Sequence, residues 1–286
     1  MNKIVDVHCH VIGHPDMFSP ELQELFAKVF AWNFPTPTPE ALLEQMDLAG
    51  VDYAVLQAYD MKEVGINIPN EFVAQTIKEH PDRFICGYAS TNPIRRGVDE
   101  AVAKLEEAYA LGLRGLKLHP LGMQLSPNDK SLYPLYEKCI DYGFPVGYHI
   151  QPIPGMPQAR LIFSDIVPLD ELAHDLPDLK IQICHFGKYP WPPDVIDLVC
   201  CLKNNRNVYT DTSAPMPMTK EGIKNTLHWI KEFDLTDKAM FGTDFPVQPQ
   251  SWWVECVEEA GFTEEQKADL MGRNALRFIG REDLLD

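Results

Sequence analysis

KIVDVHCH, residues 3–10, decides how the rest of the chain is read. Ile4, Val5 and Val7 make residues 3–7 a short apolar run of the kind that forms a buried strand. The run stops at His8-Cys9-His10. Residues at i and i+2 of an extended chain point to the same side, so His8 and His10 can share one ion. A lone His-x-His is weak evidence of a metal, and its weight depends on whether other strands end the same way.

They do. Apolar strand candidates follow at Tyr53–Gln57, Phe84–Ala89, Leu113–Leu118, Phe144–Tyr148, Lys180–Cys184, Asn207–Thr210 and Lys238–Gly242. The fourth ends in Lys117-Leu118-His119, the fifth in His149, the sixth in His185, the seventh in Asp211 and the eighth in Thr243-Asp244. Amphipathic helical patterns lie between them: Pro39–Ala49 with Thr38 as N-cap and Gly50 as stop, Gly97–Leu111, Ser131–Tyr142, Pro168–His174, Asp194–Lys203, Lys220–Lys231 and Thr263–Phe278. Roughly eight strand–helix units predict an α/β fold of the (β/α)₈ TIM-barrel type. Residues 11–34 read as a short helical insertion after the first strand. No G-x-G-x-x-G follows any strand, which disfavours an open doubly wound sheet. No composition shift or internal repeat divides residues 1–286, so they read as one barrel domain.

Composition narrows the function. The chain has 286 residues, 42 acidic against 25 basic side chains and a formal net charge of −17. That balance excludes nucleic acid and anionic membrane surfaces as partners and leaves a small molecule as the expected substrate. Seven cysteines without C-x-x-C spacing, no apolar signal core and no long apolar run predict a reduced, cytoplasmic protein without disulfides or membrane spans.

In a barrel of this type the C-terminal strand ends surround one mouth, where chemistry sits. Three histidines and an aspartate converging there suit a divalent metal such as zinc. Each residue also has a plainer reading. His149 could fill the barrel, Asp244 could cap the next helix, and His119 could line the pocket as a second-metal or substrate residue or merely end its strand. Lys117 could pack its stem and pair with a carboxylate. Asp211, flanked by Thr210, Thr212 and Ser213, reads as a hydrogen-bonding, supporting residue. His14, His80, His174 and His228 read as surface or packing residues, and Trp191, Trp252 and Trp253 as packing. Residues 151–157, rich in proline, read as a stiff wall of the pocket. Arg160 and Lys188 are the cations available to hold a substrate carboxylate.

The blocks VDVHCH, PEALLEQMDLAGVDYAVLQ, LGLRGLKLHP, LYPLYEKCIDYGFPVGYHI, LPDLKIQICHFG, NVYTDTSA and KAMFGTDFP, in this order, resemble the amidohydrolase superfamily. The likeness is greatest to its amidohydrolase-related branch, which includes aminocarboxymuconate-semialdehyde decarboxylase, and it runs nearly end to end. The resemblance implies that His8, His10, His149 and Asp244 ligate one Zn²⁺ or Mn²⁺. It implies that Asp244 and His185 are the catalytic acid–base residues, and that the protein is a homodimer. Binuclear relatives bridge two metals through a carboxylated lysine, which would give Lys117 and His185 a second ion. The nearer branch is mononuclear, which makes the second ion the less favoured reading.

The expected activity is hydrolysis of a lactone, ester or amide, carboxylate-bearing in the favoured reading, through a metal-activated water. The alternative is a carboxy-lyase acting on an aromatic or unsaturated carboxylic acid. The branch's carboxylate-binding arginines are not evident here, which tips the sequence reading toward hydrolysis. A catalytically silent, ligand-binding barrel is the non-enzymatic alternative.

Overall fold

β-Branched and aromatic runs form strands where the sequence places them. The structure is a computed structural model that describes residues 2–30, 37–156, 158–188 and 194–285. Among these residues the strands are β1 (Val5–Cys9), β2 (Tyr53–Gln57), β3 (Tyr59–Met61), β4 (Ile66–Ile68), β5 (Phe84–Ser90), β6 (Gly115–Leu118), β7 (Val146–Tyr148), β8 (Ile181–Ile183), β9 (Val208–Asp211) and β10 (Ala239–Met240). Eight of them form one sheet in the order β1-β2-β5-β6-β7-β8-β9-β10, all pairs parallel. Helices run between successive strands, because a parallel pair needs a long crossover. The sheet closes on itself. Val7 N–H donates to the Phe241 carbonyl at 3.0 Å, Asp244 N–H to His8 at 2.9 Å and His10 N–H to Phe245 at 2.9 Å. The protein is a TIM barrel, as the strand–helix count predicts.

The closing bonds matter for function. They bind the end of β1, with its two histidines, to the segment that carries Asp244. Inside the barrel, Tyr88 is fully buried and donates its hydroxyl to Gln182 Oε1 at 2.8 Å. Gly115 makes room for that ring: a Cβ there would sit 2.4 Å from Tyr88.

Three features depart from the sequence reading. β3 and β4 form an antiparallel hairpin that the pattern YDMKEVGINI does not announce, since each strand has only three residues. Helices at Asn70–Glu79 and Gln250–Glu259 join those anticipated, and the second takes up Trp252 and Trp253. The C-terminal helix expected over Thr263–Phe278 is broken by a π-turn at Asp269–Arg273. Gly272 lies in that turn, where a Cβ would come within 1.9 Å of the Lys3 carbonyl oxygen. The insertion after β1 is a single turn at Pro15–Met17 and a helix at Pro20–Phe30. Trp191 and residues 31–36 lie outside the described residues. No described helix is long and apolar enough to cross a membrane.

Candidate active site

β1 delivers His8 and His10 to the mouth of the barrel, and their ring nitrogens meet there. His8 Nε2 and His10 Nε2 are 3.2 Å apart. Asp244 Oδ1 lies 3.4 Å from the first and 3.3 Å from the second. Hydrogen bonds on the far side of each ring fix the tautomers. His10 Nδ1 is 3.0 Å from the Gln57 carbonyl, which can only accept, so the proton sits on Nδ1. His8 Nδ1 is 3.0 Å from the Asp211 carboxylate, with the same consequence. Burial lowers both imidazoles below the ordinary histidine pKa, so they are neutral. Two ring lone pairs and a carboxylate oxygen therefore converge with no proton on any of the three, and Lys117 Nζ donates to the His8 Nε2 lone pair at 3.1 Å. Ligands about 2.0–2.2 Å from a divalent ion stand roughly 3.0–3.5 Å from one another, so this trio has the spacing and chemistry of a metal half-shell. His8, His10 and Asp244 could hold such an ion.

His149, just beyond β7, lines the same cavity but is not one of the three side chains whose ligand atoms lie within 4.8 Å of one another. Its Nδ1 lies 2.6 Å from His185 Nε2. His185 Nδ1 faces the Ser213 hydroxyl at 2.9 Å and the Ser213 carbonyl at 3.3 Å. The carbonyl fixes a proton on His185 Nδ1, so His149 Nδ1 donates to His185. That leaves the His149 Nε2 lone pair for a ligand. His185 is fully buried, does not line the cavity, and has its pKa lowered to about 4 by burial.

Asp211 supports the whole arrangement. Its carboxylate accepts from His8 Nδ1, from the His185 N–H at 2.9 Å, from Gln182 Nε2 at 2.6 Å and from the Ser213 N–H and hydroxyl at 3.1 and 2.5 Å. Burial pushes its pKa up, but His8, His185 and Lys117 together outweigh burial and hold the carboxyl well below the usual range. Asp6 does the same for the Asp244 segment. It accepts from the Thr243 N–H at 3.1 Å, the Thr243 hydroxyl at 2.6 Å, Gln250 Nε2 at 2.8 Å and the His8 N–H at 3.1 Å. His185 and Asp244 both have left-handed backbones, with φ of 64° and 58°. Such strain costs about 1–3 kcal/mol per residue and persists only where the surroundings impose it.

The remaining sequence candidates divide sharply. Lys117 is fully buried, with Nζ 3.1 Å from His8 Nε2 and donating to Cys184 Sγ at 2.9 Å. His119 is buried and stacks on Tyr59 with ring centroids 4.2 Å apart. Neither Arg160 nor Lys188 reaches the cavity. Arg160 is exposed, and Lys188 faces Asp194 at 3.6 Å. A carboxylate-binding role for either has no support in their positions. Two residues of the site escaped the sequence reading: Asp6 and Tyr59, whose ring lies 4.4 Å from that of His10.

The cluster opens into a cavity of about 490 Å³. His10, His149 and Asp244 form its polar side, while Phe18, Phe26, Tyr59 and Ile153 are among its walls. A barrel with this set of donors at the C-terminal ends of its strands is the architecture of metal-dependent hydrolases and lyases. The amidohydrolase family model matches residues 5–281, and the chain belongs to that family. A 2-amino-3-carboxymuconate-6-semialdehyde decarboxylase from Dictyostelium discoideum is 25% identical over 249 residues, 74% of this chain and 65% of that protein. The match thus spans just under two thirds of that relative's length. An uncharacterised TIM-barrel protein from Bordetella bronchiseptica superposes with a TM-score of 0.80 at 22% identity, covering 98% of this chain and 99% of its own. A probable 2-pyrone-4,6-dicarboxylic acid hydrolase from Acinetobacter baumannii, with citric acid bound, gives a TM-score of 0.68 at 17% identity, covering 98% of this chain and 100% of its own. At such identities the two structures share the fold.

Proposed function

We propose that this chain is a divalent-metal-dependent decarboxylase that releases CO₂ from a small aromatic or unsaturated carboxylic acid. The observation that carries this reading is the pairing of a proton-poor donor cluster with an apolar, aromatic-walled cavity. The similarity to a decarboxylase over 74% of the chain supports it and shifts the balance away from hydrolysis. A divalent ion, Zn²⁺ or Mn²⁺, held by His8, His10, His149 and Asp244 would supply positive charge to bind the carboxylate and draw electrons from the carbon that carries it.

The chain's own residues position the acid and move one proton. Tyr59 and the apolar walls hold the flat body of the substrate and exclude water, which leaves the carboxylate less solvated than in bulk. Asp244 borders both the donor cluster and the cavity. Its carboxylate takes up the acid proton that the substrate brings and passes it to the carbon that bears the carboxylate. The carbon–carbon bond then breaks, CO₂ leaves, and that proton remains in the new C–H bond. His185 acts as a positioning residue: it accepts from His149 Nδ1 and so aims the Nε2 lone pair of His149.

Hydrolysis is the second reading, supported by an Asp244 carboxylate able to take a proton from water and by the hydrolase name of the Acinetobacter structure. One panel separates the two. Metal-loaded protein is given aromatic and unsaturated monoacids beside lactones, with CO₂ release and ring opening followed in parallel. CO₂ release that stops on chelation and returns with Zn²⁺ or Mn²⁺ is expected. Ring opening without CO₂ transfers the site to hydrolysis, and inactivity toward both classes refutes both readings.

A further inference from the structure

The cavity has a side chamber of about 240 Å³ that shares His149, Gln151 and Ile153 with the main chamber. No lysine or arginine lines either chamber. The residues outside the described set hold no lysine, arginine or histidine, so they supply no hidden cation. Arg95 and Arg96, from the loop after β5, pair instead with Glu63 and with Asp60 and Glu100. The ammonium of Lys117 is turned to His8 and Cys184. A single carboxylate can be met at the donor cluster by the ion proposed above. A second carboxylate would be desolvated with no cation to pair with and on the same cavity as Asp244.

The side chamber carries one conspicuous polar group. His119 is 2% exposed, and neither of its ring nitrogens has a hydrogen-bond partner. Buried polar groups are nearly always paired, so two orphaned nitrogens on one ring that lines a chamber mark a place for a ligand's polar group. A neutral imidazole offers one donor and one acceptor, which matches a hydroxyl on both counts.

We infer that the site takes acids with one carboxylate only, whose remaining body is flat, uncharged and carries a hydroxyl read by His119. This rests on the decarboxylase reading for the placement of the carboxylate, and it names the substrate class. It sets the protein apart from an enzyme named for a dicarboxylic acid, such as the Acinetobacter relative by structure.

Binding can be read without turnover. Zn²⁺-loaded protein is titrated in a calorimeter with benzoate, 3-hydroxybenzoate and benzene-1,3-dicarboxylate. The dicarboxylate is expected to bind at least a hundredfold more weakly than 3-hydroxybenzoate, and benzoate about tenfold more weakly. His119→Phe, checked for an unchanged melting transition, should bring the ratio of 3-hydroxybenzoate to benzoate close to one. If that variant does not fold, the wild-type ratios alone decide. Dicarboxylate binding as tight as that of the monoacids overturns the inference, as does equal binding of the hydroxylated and plain acids or binding of none of the three. Tight monoacid binding without CO₂ release refutes decarboxylation and leaves the assignment of substrate charge in force.

Discussion

Acidification from about pH 7 to about pH 5 should destabilise the metal-free protein. His185 is 0% exposed, and burial holds its pKa at about 4, against 6.5 for an unperturbed imidazole. As pH falls through 6.5 the unfolded chain takes up a proton that the folded state refuses, so the unfolded state gains. Linkage between those two values removes ~2 kcal/mol of stability over this range from His185 alone. His8, His10, His119 and His149 are lowered by the same cause, burial, and add to the loss. Asp6 opposes them. Burial raises its carboxyl from 3.8 to about 6, so the folded state protonates first and gains stability as pH falls through 6. By about pH 5 that gain is ~1 kcal/mol, which offsets part of one histidine's penalty and leaves the other four unopposed. The assay is urea unfolding of chelator-treated protein, followed by tryptophan fluorescence at a series of pH values. A fall in unfolding free energy is expected, larger than the roughly 1 kcal/mol by which the His185 penalty exceeds the Asp6 gain. An unfolding free energy at about pH 5 equal to or above that at neutral pH refutes the buried, neutral state of these imidazoles.

Two substitutions probe the supports of the site. Asp211→Ala strips the acceptor from His8 Nδ1, His185 N–H, Gln182 and Ser213 at once. It should cost roughly 3–5 kcal/mol, because several buried donors lose their acceptor at about 1–3 kcal/mol each, and thermal melts measure it. Zn²⁺ affinity, titrated on whatever fraction folds, should fall roughly 10–100-fold because His8 loses the bond that orients it. A loss below about 1 kcal/mol contradicts the support role. Gly272→Ala drives a methyl group into the Lys3 carbonyl oxygen. It should lower stability by about 1–3 kcal/mol through displacement of β1, and an unchanged melting temperature contradicts that close approach.

What the sequence discloses about this protein is local to each strand. Val5, Val7 and the histidines that follow them are readable because the period of a strand and the face it presents are properties of a few neighbouring residues. The strand-end rule of barrels then places His8, His10, His149 and Asp244 at one mouth without any distance being known, and of these the structure brings His8, His10 and Asp244 within 4.8 Å of one another. The supports are invisible for the opposite reason. Asp6 reads as an ordinary interior residue of VDVHCH, yet its carboxylate holds Thr243 and Gln250, which lie 237 and 244 positions away. Tyr59 stands in a hairpin too short for any periodicity, although it packs at a tilt against His10 and stacks on His119. Arg160 and Lys188 illustrate the converse error: adjacency to a strand end in sequence does not settle where a long side chain reaches, and both turn away from the cavity. Their absence from it changes the meaning of the −17 net charge. A negative protein that held a dicarboxylate would need compensating cations inside its cavity. This one keeps its lysines and arginines out of the chamber walls, so a substrate anion can be met only at the histidine–aspartate cluster. Selectivity then follows from how little charge the rest of the cavity can accept.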